Sequence, residues 1–106
     1  MFSELITTLE KYGRGIHGFS KAADIARVRA RENSDAVAAW CLLGRISELF
    51  VERNERQPLP AAECDRWFGI LRRETDRLDA AFAKSDPAGR LSAINETAHT
   101  LVDQEI

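Results

Sequence analysis

One pair of side chains near the end of the chain has a spacing known from metal centres. Glu96 and His99 form a Glu-x-x-His motif, which supplies ligands to paired iron ions in some helical bundles. That chemistry needs a second such motif and two more glutamates on facing helices, and the sequence contains no second motif. We therefore predict that both side chains lie on the surface and that the chain binds no metal or other cofactor.

Two pairs of acidic residues have the spacing of carboxylates that hold magnesium. Glu52 and Glu55 precede the turn around Pro58, and Asp76 and Asp79 follow it. If the flanking helices are antiparallel, Asp76 lies about 27 Å from the turn and Glu52 lies within about 10 Å of it. Carboxylates that share one magnesium ion must lie a few ångströms apart. The pairs cannot converge within one chain, and we predict solvated helix faces.

A glycine-rich segment spans Gly13–Gly18, with the sequence Gly-Arg-Gly-Ile-His-Gly. Its backbone amides could hold a phosphate, with Arg14 and His17 as assisting side chains. Phosphate loops, however, follow a strand and open a helix, whereas helical patterns flank this segment on both sides. Close helix packing or a hinge explains the glycines better. Binding of a small ligand or nucleotide here is therefore an alternative hypothesis.

Basic residues are concentrated early in the chain. The first 32 residues carry six basic and four acidic side chains, although the whole chain has a formal net charge of −2. Lys21, Arg27 and Arg31 form the candidate basic patch, in which Arg27 and Arg31 share a helix face. Aromatic residues are not interleaved with these cations, as they are in many nucleic-acid-binding surfaces. Nucleic-acid binding through this patch is a further, weaker alternative.

The elements that would position these residues are helices. Apolar residues recur every three or four positions, which is the spacing of one buried helix face. Such stripes predict a helix from about residue 60 to 84 and a strongly apolar one from Val37 to Val51. A last helix follows Asp86-Pro87, with Leu91, Ile94, Ala98 and Leu101 as its core stripe. Because the turns are short, we predict an all-α, antiparallel up-down-up-down four-helix bundle in a single domain, 1–106. A hairpin pair that completes its core by dimerising is the alternative.

The first helix shows two conflicting signals, because its apolar spacing continues through the three glycines between Gly13 and Gly18. Each glycine costs about 1 kcal/mol inside a helix, which favours a split into two helices. The continuous periodicity favours one long helix with a kink, and we expect the latter. Asn33 and Ser34 then supply a helix stop and the cap of the next helix.

A second stripe on the apolar helix is a candidate docking groove. Trp40, Gly44, Ser47 and Val51 lie beside the main core face, and Trp67 flanks the core stripe of the next helix. Large aromatic anchors are typical of helix-binding grooves. Alternatively, the alanine-rich half of the first helix packs against this stripe and buries it.

These observations favour a function carried out by surfaces. We predict a small cytoplasmic helical protein that acts as an adaptor or regulatory module by binding another protein or a second copy of itself. The sequence contains no stretch of about 18 apolar residues that could span a membrane. Convergent catalytic side chains are not evident, so enzymatic activity is not expected.

Overall fold

The computed structural model describes residues 1–33 and 35–106. Within them the chain forms five α-helices and no strand, which confirms the predicted all-α class. There is one helix more than predicted, because the segment expected to form the first helix is divided in two. The helices are α1 (Glu4–Tyr12), α2 (Ile16–Glu32), α3 (Val37–Asn54), α4 (Ala61–Phe82) and α5 (Pro87–Glu105).

The first two helices form an antiparallel hairpin. Helix α1 ends where Gly13 adopts a φ of 97°, a conformation that favours glycine. Near the end of α2, the Arg29 guanidinium donates two hydrogen bonds of 2.8 Å to Glu4 at the start of α1. Gly18 permits this close reversal, because a Cβ at this position would overlap with the Gly13 carbonyl oxygen. The expected single long helix is therefore wrong.

Consecutive helices run in opposite directions throughout the bundle. Phe19 near the start of α2 packs on Phe50 near the end of α3, with ring centroids 4.1 Å apart. Phe50 also contacts Trp67 near the start of α4, with centroids 6.0 Å apart. At the same end, Arg66 of α4 donates a 3.0 Å hydrogen bond to Gln104 at the end of α5. The alternating order therefore extends over five helices rather than four.

Aromatic side chains close the core at both ends of the bundle. Phe19, Phe50 and Trp67 occupy one end, and Phe2 packs against Trp40 at the other, with ring centroids 4.7 Å apart. All five are buried. The aliphatic layer between the two clusters is formed mainly by Leu5, Leu9, Leu43, Ile46, Leu71 and Leu78.

Helix α4 caps the beginning of helix α1. The Asp79 carboxylate accepts hydrogen bonds from the backbone N–H groups of Phe2, at 2.7 Å, and Ser3, at 3.1 Å. The Ser3 side chain itself makes no capping hydrogen bond. The first N–H groups of a helix have no partner within the helix. In this protein a residue more than 70 positions away in the sequence lies where a local cap would act.

The helix boundaries agree with the predicted ones at most positions. The predicted cap Ser34 lies outside the described residues. Asn33 adopts an extended backbone, with φ −122°, rather than the left-handed conformation that would end a helix. Its side-chain oxygen instead accepts a 3.0 Å hydrogen bond from the Asp35 N–H. As predicted, Pro87 is the first residue of α5.

Candidate functional site

Helix α5 turns a different face to the core than its apolar pattern predicts. The predicted core stripe included Leu91 and Ala98, yet Leu91 is 59% exposed and Ala98 is only half-buried. Leu101 of the predicted stripe is buried and Ile94 packs against the core, as predicted. The rest of the buried face is formed by Ala93, Thr97 and Thr100. The helix is thus rotated, so that two threonines point inward and part of its apolar surface points outward.

A buried carboxylate accounts for this rotation. Glu74 of α4 is fully buried, and its two oxygens accept hydrogen bonds from Thr97, at 3.0 Å, and Thr100, at 3.1 Å. Arg77 and Arg73 complete its coordination at 2.9 and 3.1 Å. An ionised carboxylate is costly to bury unless it is paired and hydrogen-bonded. The inward threonines therefore add two hydrogen bonds to a group that an apolar helix face would leave with only its two arginines.

Sequence reasoning missed this cluster, although a signal was present. Glu74 lies seven residues after Trp67 and three after Leu71, so it shares a helix face with buried apolar residues. Thr97 and Thr100 are likewise spaced to lie on one face of α5. A carboxylate within an apolar face and two hydroxyls at helical spacing on the neighbouring helix indicate a buried polar contact.

The rotation leaves a regular stripe on the solvent side of α5, which we call the α5 outer stripe. It consists of Ala88, Leu91, Asn95, Ala98 and Val102, at successive spacings of three, four, three and four residues. Val102 is 52% exposed. Alternating steps of three and four residues are the pattern of a coiled-coil contact line. The stripe therefore has the spacing of a helix-binding surface.

A shallow groove of about 650 Å³ runs along one side of this stripe. Arg77 enters it from α4 and forms an ion pair with Glu96, with 3.2 Å between Nε and the carboxylate oxygen. His99 Nδ1 lies 3.5 Å from the Asp103 carboxylate, on the exposed side. Glu96 and His99 thus lie at the surface, as predicted. The groove lining is Arg77, Ala88, Leu91, Ser92, Asn95, Glu96, His99 and Thr100.

The glycine segment does not bring its two candidate ligands together. The Arg14 guanidinium stacks over Phe68 of α4, 3.7 Å from the ring centroid, and lies 3.8 Å from the Asp65 carboxylate. His17 packs edge-on against Tyr12 of α1, with ring centroids 5.5 Å apart. The two side chains contact different helices, and Gly13 and Gly18 are explained by the reversal between α1 and α2.

The basic patch is partly neutralised by neighbouring groups. Arg27 is hydrogen-bonded to Glu48 of α3, and the Lys21 ammonium lies 5.6 Å from the centroid of the Tyr12 ring. Arg31 is exposed at the end of α2. Among the residues that the structure describes, only Arg27 of these three cations is paired with an opposite charge, which reduces the net positive charge available to a phosphate backbone.

The candidate docking groove on α3 is covered by α2. Trp40 is only 2% exposed and Trp67 is fully buried. Gly44 and Ser47 are also buried, and a Cβ on Gly44 would lie 3.1 Å from the Ala26 side chain. Val51 is half-buried at the edge. Most of this stripe is thus buried by packing within the chain, as the alternative predicted, and the exposed stripe lies on α5.

Neither a metal site nor a membrane-spanning helix is found in the part of the chain that the structure describes. Its His, Cys, Asp and Glu side chains include no group of three placed to share a metal ion. None of the five helices is both long and apolar enough to cross a bilayer. Comparison of the chain with protein-family models, curated proteins and solved structures gives no match. A functional assignment therefore depends on the geometry alone.

Proposed function

We propose that this protein is an interaction module that binds a helix of a protein partner along the α5 outer stripe. The observation that carries the proposal is the orientation of α5. Its apolar residues Leu91 and Val102 face solvent at coiled-coil spacing, while Thr97 and Thr100 occupy the core. Single exposed apolar side chains are common on protein surfaces, but a regular stripe of them suits the face of a second helix.

The shape of the stripe supports a helical partner. Small residues at Ala88 and Ala98 alternate with larger ones at Leu91 and Val102, so a facing helix would find both ridges and hollows. Asn95 lies midway along the stripe, where a polar side chain can fix the register of the two helices. The groove beside the stripe adds polar groups that could form the rim of such an interface.

The two alternative functions have less support. A ligand site at the glycine segment would use Arg14 and His17, yet these contact α4 and α1 respectively. Nucleic-acid binding would use Lys21, Arg27 and Arg31, of which the first two interact with neighbouring side chains. An adaptor or regulatory role in the cytoplasm, and the absence of enzymatic activity, remain predictions from the sequence.

The proposal is tested by placing charges on the stripe. Full-length tagged protein carrying Leu91→Asp and Val102→Asp is compared with the natural chain as bait in host-cell lysate, and a differently tagged copy of the natural chain is supplied as prey. The matched control carries Val28→Asp and Val37→Asp, which change two exposed valines elsewhere, 49% and 42% exposed respectively. Circular dichroism and thermal melting verify that both variants fold.

We expect a protein, whether another chain or the second copy, to bind the natural chain and the control at equal levels and to be lost with the stripe variant. If every captured protein binds the stripe variant and the control equally, the α5 outer stripe is not the docking surface and the proposal is wrong.

A further inference from the structure

We infer that the partner on the α5 outer stripe is a second copy of this chain, whose α5 lies antiparallel to the first with the two-fold axis at Asn95. The inference rests on the proposed function of the stripe and names its occupant. It is carried by four properties of α5: the symmetry of the stripe, the distribution of side-chain sizes along it, the amide of Asn95 at its centre, and the charges at its two ends.

The stripe is symmetric about its central residue. Counting outward from Asn95, Leu91 and Ala98 are the neighbours on either side, and Ala88 and Val102 are each seven residues away. In an antiparallel pair centred on Asn95, Ala88 faces Val102 of the copy and Leu91 faces Ala98 of the copy. Ala88 and Val102 match with no offset, while Leu91, four residues before Asn95, and Ala98, three residues after it, are offset by one residue or about 1.5 Å. The stripe therefore matches itself closely, as a two-fold symmetric interface requires.

Side-chain sizes favour the antiparallel arrangement over the parallel one. Antiparallel pairing places a large residue opposite a small one in each outer layer, since Leu91 meets Ala98 and Val102 meets Ala88. Parallel, in-register pairing would place each residue opposite itself, so that two layers would contain only alanines and two would contain only larger apolar side chains. Even filling is favoured because voids lose contacts and crowding forces strained side chains.

Asn95 suits the axis of such a pair. Its amide carries both donors and an acceptor, so two Asn95 side chains related by the axis can hydrogen-bond to one another reciprocally. A polar residue at one position of a helical contact line fixes register, because any shift places the amide against apolar groups. The central position of Asn95 thus selects the same register as the sizes of its neighbours.

The charges at the two ends of α5 are complementary in the antiparallel pair. Residues 84–90 contain Lys84, Asp86 and Arg90, a net charge of +1, whereas residues 99–105 contain Asp103 and Glu105, a net charge of −2 with His99 neutral. Antiparallel packing places each end beside its opposite and also opposes the helix dipoles. Parallel packing would place the two acidic ends together.

The small size of the α5 outer stripe limits the expected affinity of the dimer. Helix α5 has 19 residues and is therefore about 28 Å long. One pair of such helices buries less surface than the roughly 1,600 Å² of a typical stable interface. We therefore expect a weak dimer that forms reversibly as the protein concentration rises.

Sedimentation equilibrium of the full chain, measured up to millimolar concentration, tests self-association. The natural chain and the Val28→Asp/Val37→Asp control should approach twice the monomer mass at high concentration, and the Leu91→Asp/Val102→Asp variant should remain monomeric. A natural chain that stays monomeric throughout overturns the second-copy inference, while the lysate experiment above still decides whether the stripe binds another protein. A dimer that persists in the stripe variant overturns it as well.

Disulfide cross-linking tests the orientation. Both native cysteines, Cys41 and Cys64, are free, so they are first replaced by serine. Asn95→Cys should then form a covalent dimer with itself, and Leu91→Cys should link to Ala98→Cys in a mixture but not to itself. In the antiparallel pair two copies of position 91 are about 12 Å apart along the helix axis. Self-linking of Leu91→Cys without cross-linking to Ala98→Cys indicates a parallel pair and contradicts the inference.

Discussion

Thr97 of α5 donates a hydrogen bond of 3.0 Å to the buried carboxylate of Glu74 on α4, and this contact determines which face of α5 meets the core. Thr100 lies about one helical turn after Thr97 and donates a hydrogen bond to the second carboxylate oxygen, which favours the same orientation of α5. Leu91, on the far side of the helix, is exposed as a result. The polar contact of α5 with the core and the apolar stripe on its solvent side therefore result from the same orientation of the helix.

Replacement of Glu74 by alanine should destabilise the protein by about 2–4 kcal/mol, because it leaves two buried hydroxyls without their acceptor and opens a cavity. Urea unfolding measures the change in the free energy of unfolding. Glu96→Ala is the matched control: Glu96 pairs with the same Arg77 at the surface, and its loss should change stability by less than about 0.5 kcal/mol. Equal effects of the two substitutions would show that the Glu74 cluster contributes nothing specific.

Gly18→Ala should destabilise the hairpin of α1 and α2 by about 1–3 kcal/mol, because the new methyl group overlaps with the Gly13 carbonyl and crowds Leu9. Gly69→Ala provides the opposite case. Gly69 lies within α4 and its Cβ would meet no atom within 4 Å, so alanine should stabilise that helix by up to about 1 kcal/mol. Thermal melting of both variants measures the difference, and a Gly18→Ala variant as stable as Gly69→Ala would contradict the close approach.

Trp40→Ala should destabilise the fold by about 3–5 kcal/mol, because the buried ring packs against Phe2 and leaves a large cavity when removed. Val37→Ala, one turn earlier on the exposed side of α3, should cost less than about 0.5 kcal/mol. Chemical denaturation followed by circular dichroism distinguishes the two. If Trp40→Ala unfolds at the same denaturant concentration as the natural chain, Trp40 is a surface residue and returns as a candidate for partner binding.

The contact between α1 and α2 should weaken in acid. The hydrogen-bonded Arg29 guanidinium lowers the pKa of Glu4 below its usual value of 4.5. Because the unfolded chain then binds this proton more tightly, the stabilisation is present above pH 4.5 and is lost as the pH falls through the lower pKa of the folded protein. Glu4→Gln should lower the melting temperature at pH 7 by about one or two degrees, since both partners are over a third exposed.

The same substitution should also flatten the decline in melting temperature below pH 4.5, because the titrating group is gone. Glu10→Gln, an exposed change on the same helix, serves as the control. Melting curves collected between pH 7 and pH 3 give both quantities. Identical curves for the two variants would mean that the Glu4 contact with Arg29 has no effect on stability.

The spacing of apolar residues alone correctly predicted those helices that have a single apolar stripe, because that stripe faces the core. On α4, Phe68, Leu71 and Leu78 are all buried as their spacing indicated. The reversal at Gly13 was not predicted, because two antiparallel helices can each continue the same apolar spacing while the chain changes direction between them. Helix propensity indicated the correct result there, since three glycines lie within six residues.

The candidate site was harder to predict from the sequence for a different physical reason. A stripe of apolar residues does not by itself show whether it faces the core or the solvent, and α5 has apolar residues on two faces. The choice between them depends on Glu74, a residue on another helix whose burial must be compensated. The α3 stripe that begins at Trp40 was ambiguous in the same way; it is covered because Phe2 packs on the Trp40 ring and Ala26 of α2 lies against Gly44.

The hydrogen bonds by which Asp79 caps α1 join residues that are far apart in the sequence. This separation determines when the cap can form. The backbone N–H groups of Phe2 and Ser3 find their acceptor only when the end of α4 has reached them. During synthesis helices α1, α2 and α3 are therefore made before this partner exists, because the acceptor follows its two donors by 77 and 76 positions. The beginning of helix α1 is thus expected to gain its cap only after α4 has been made.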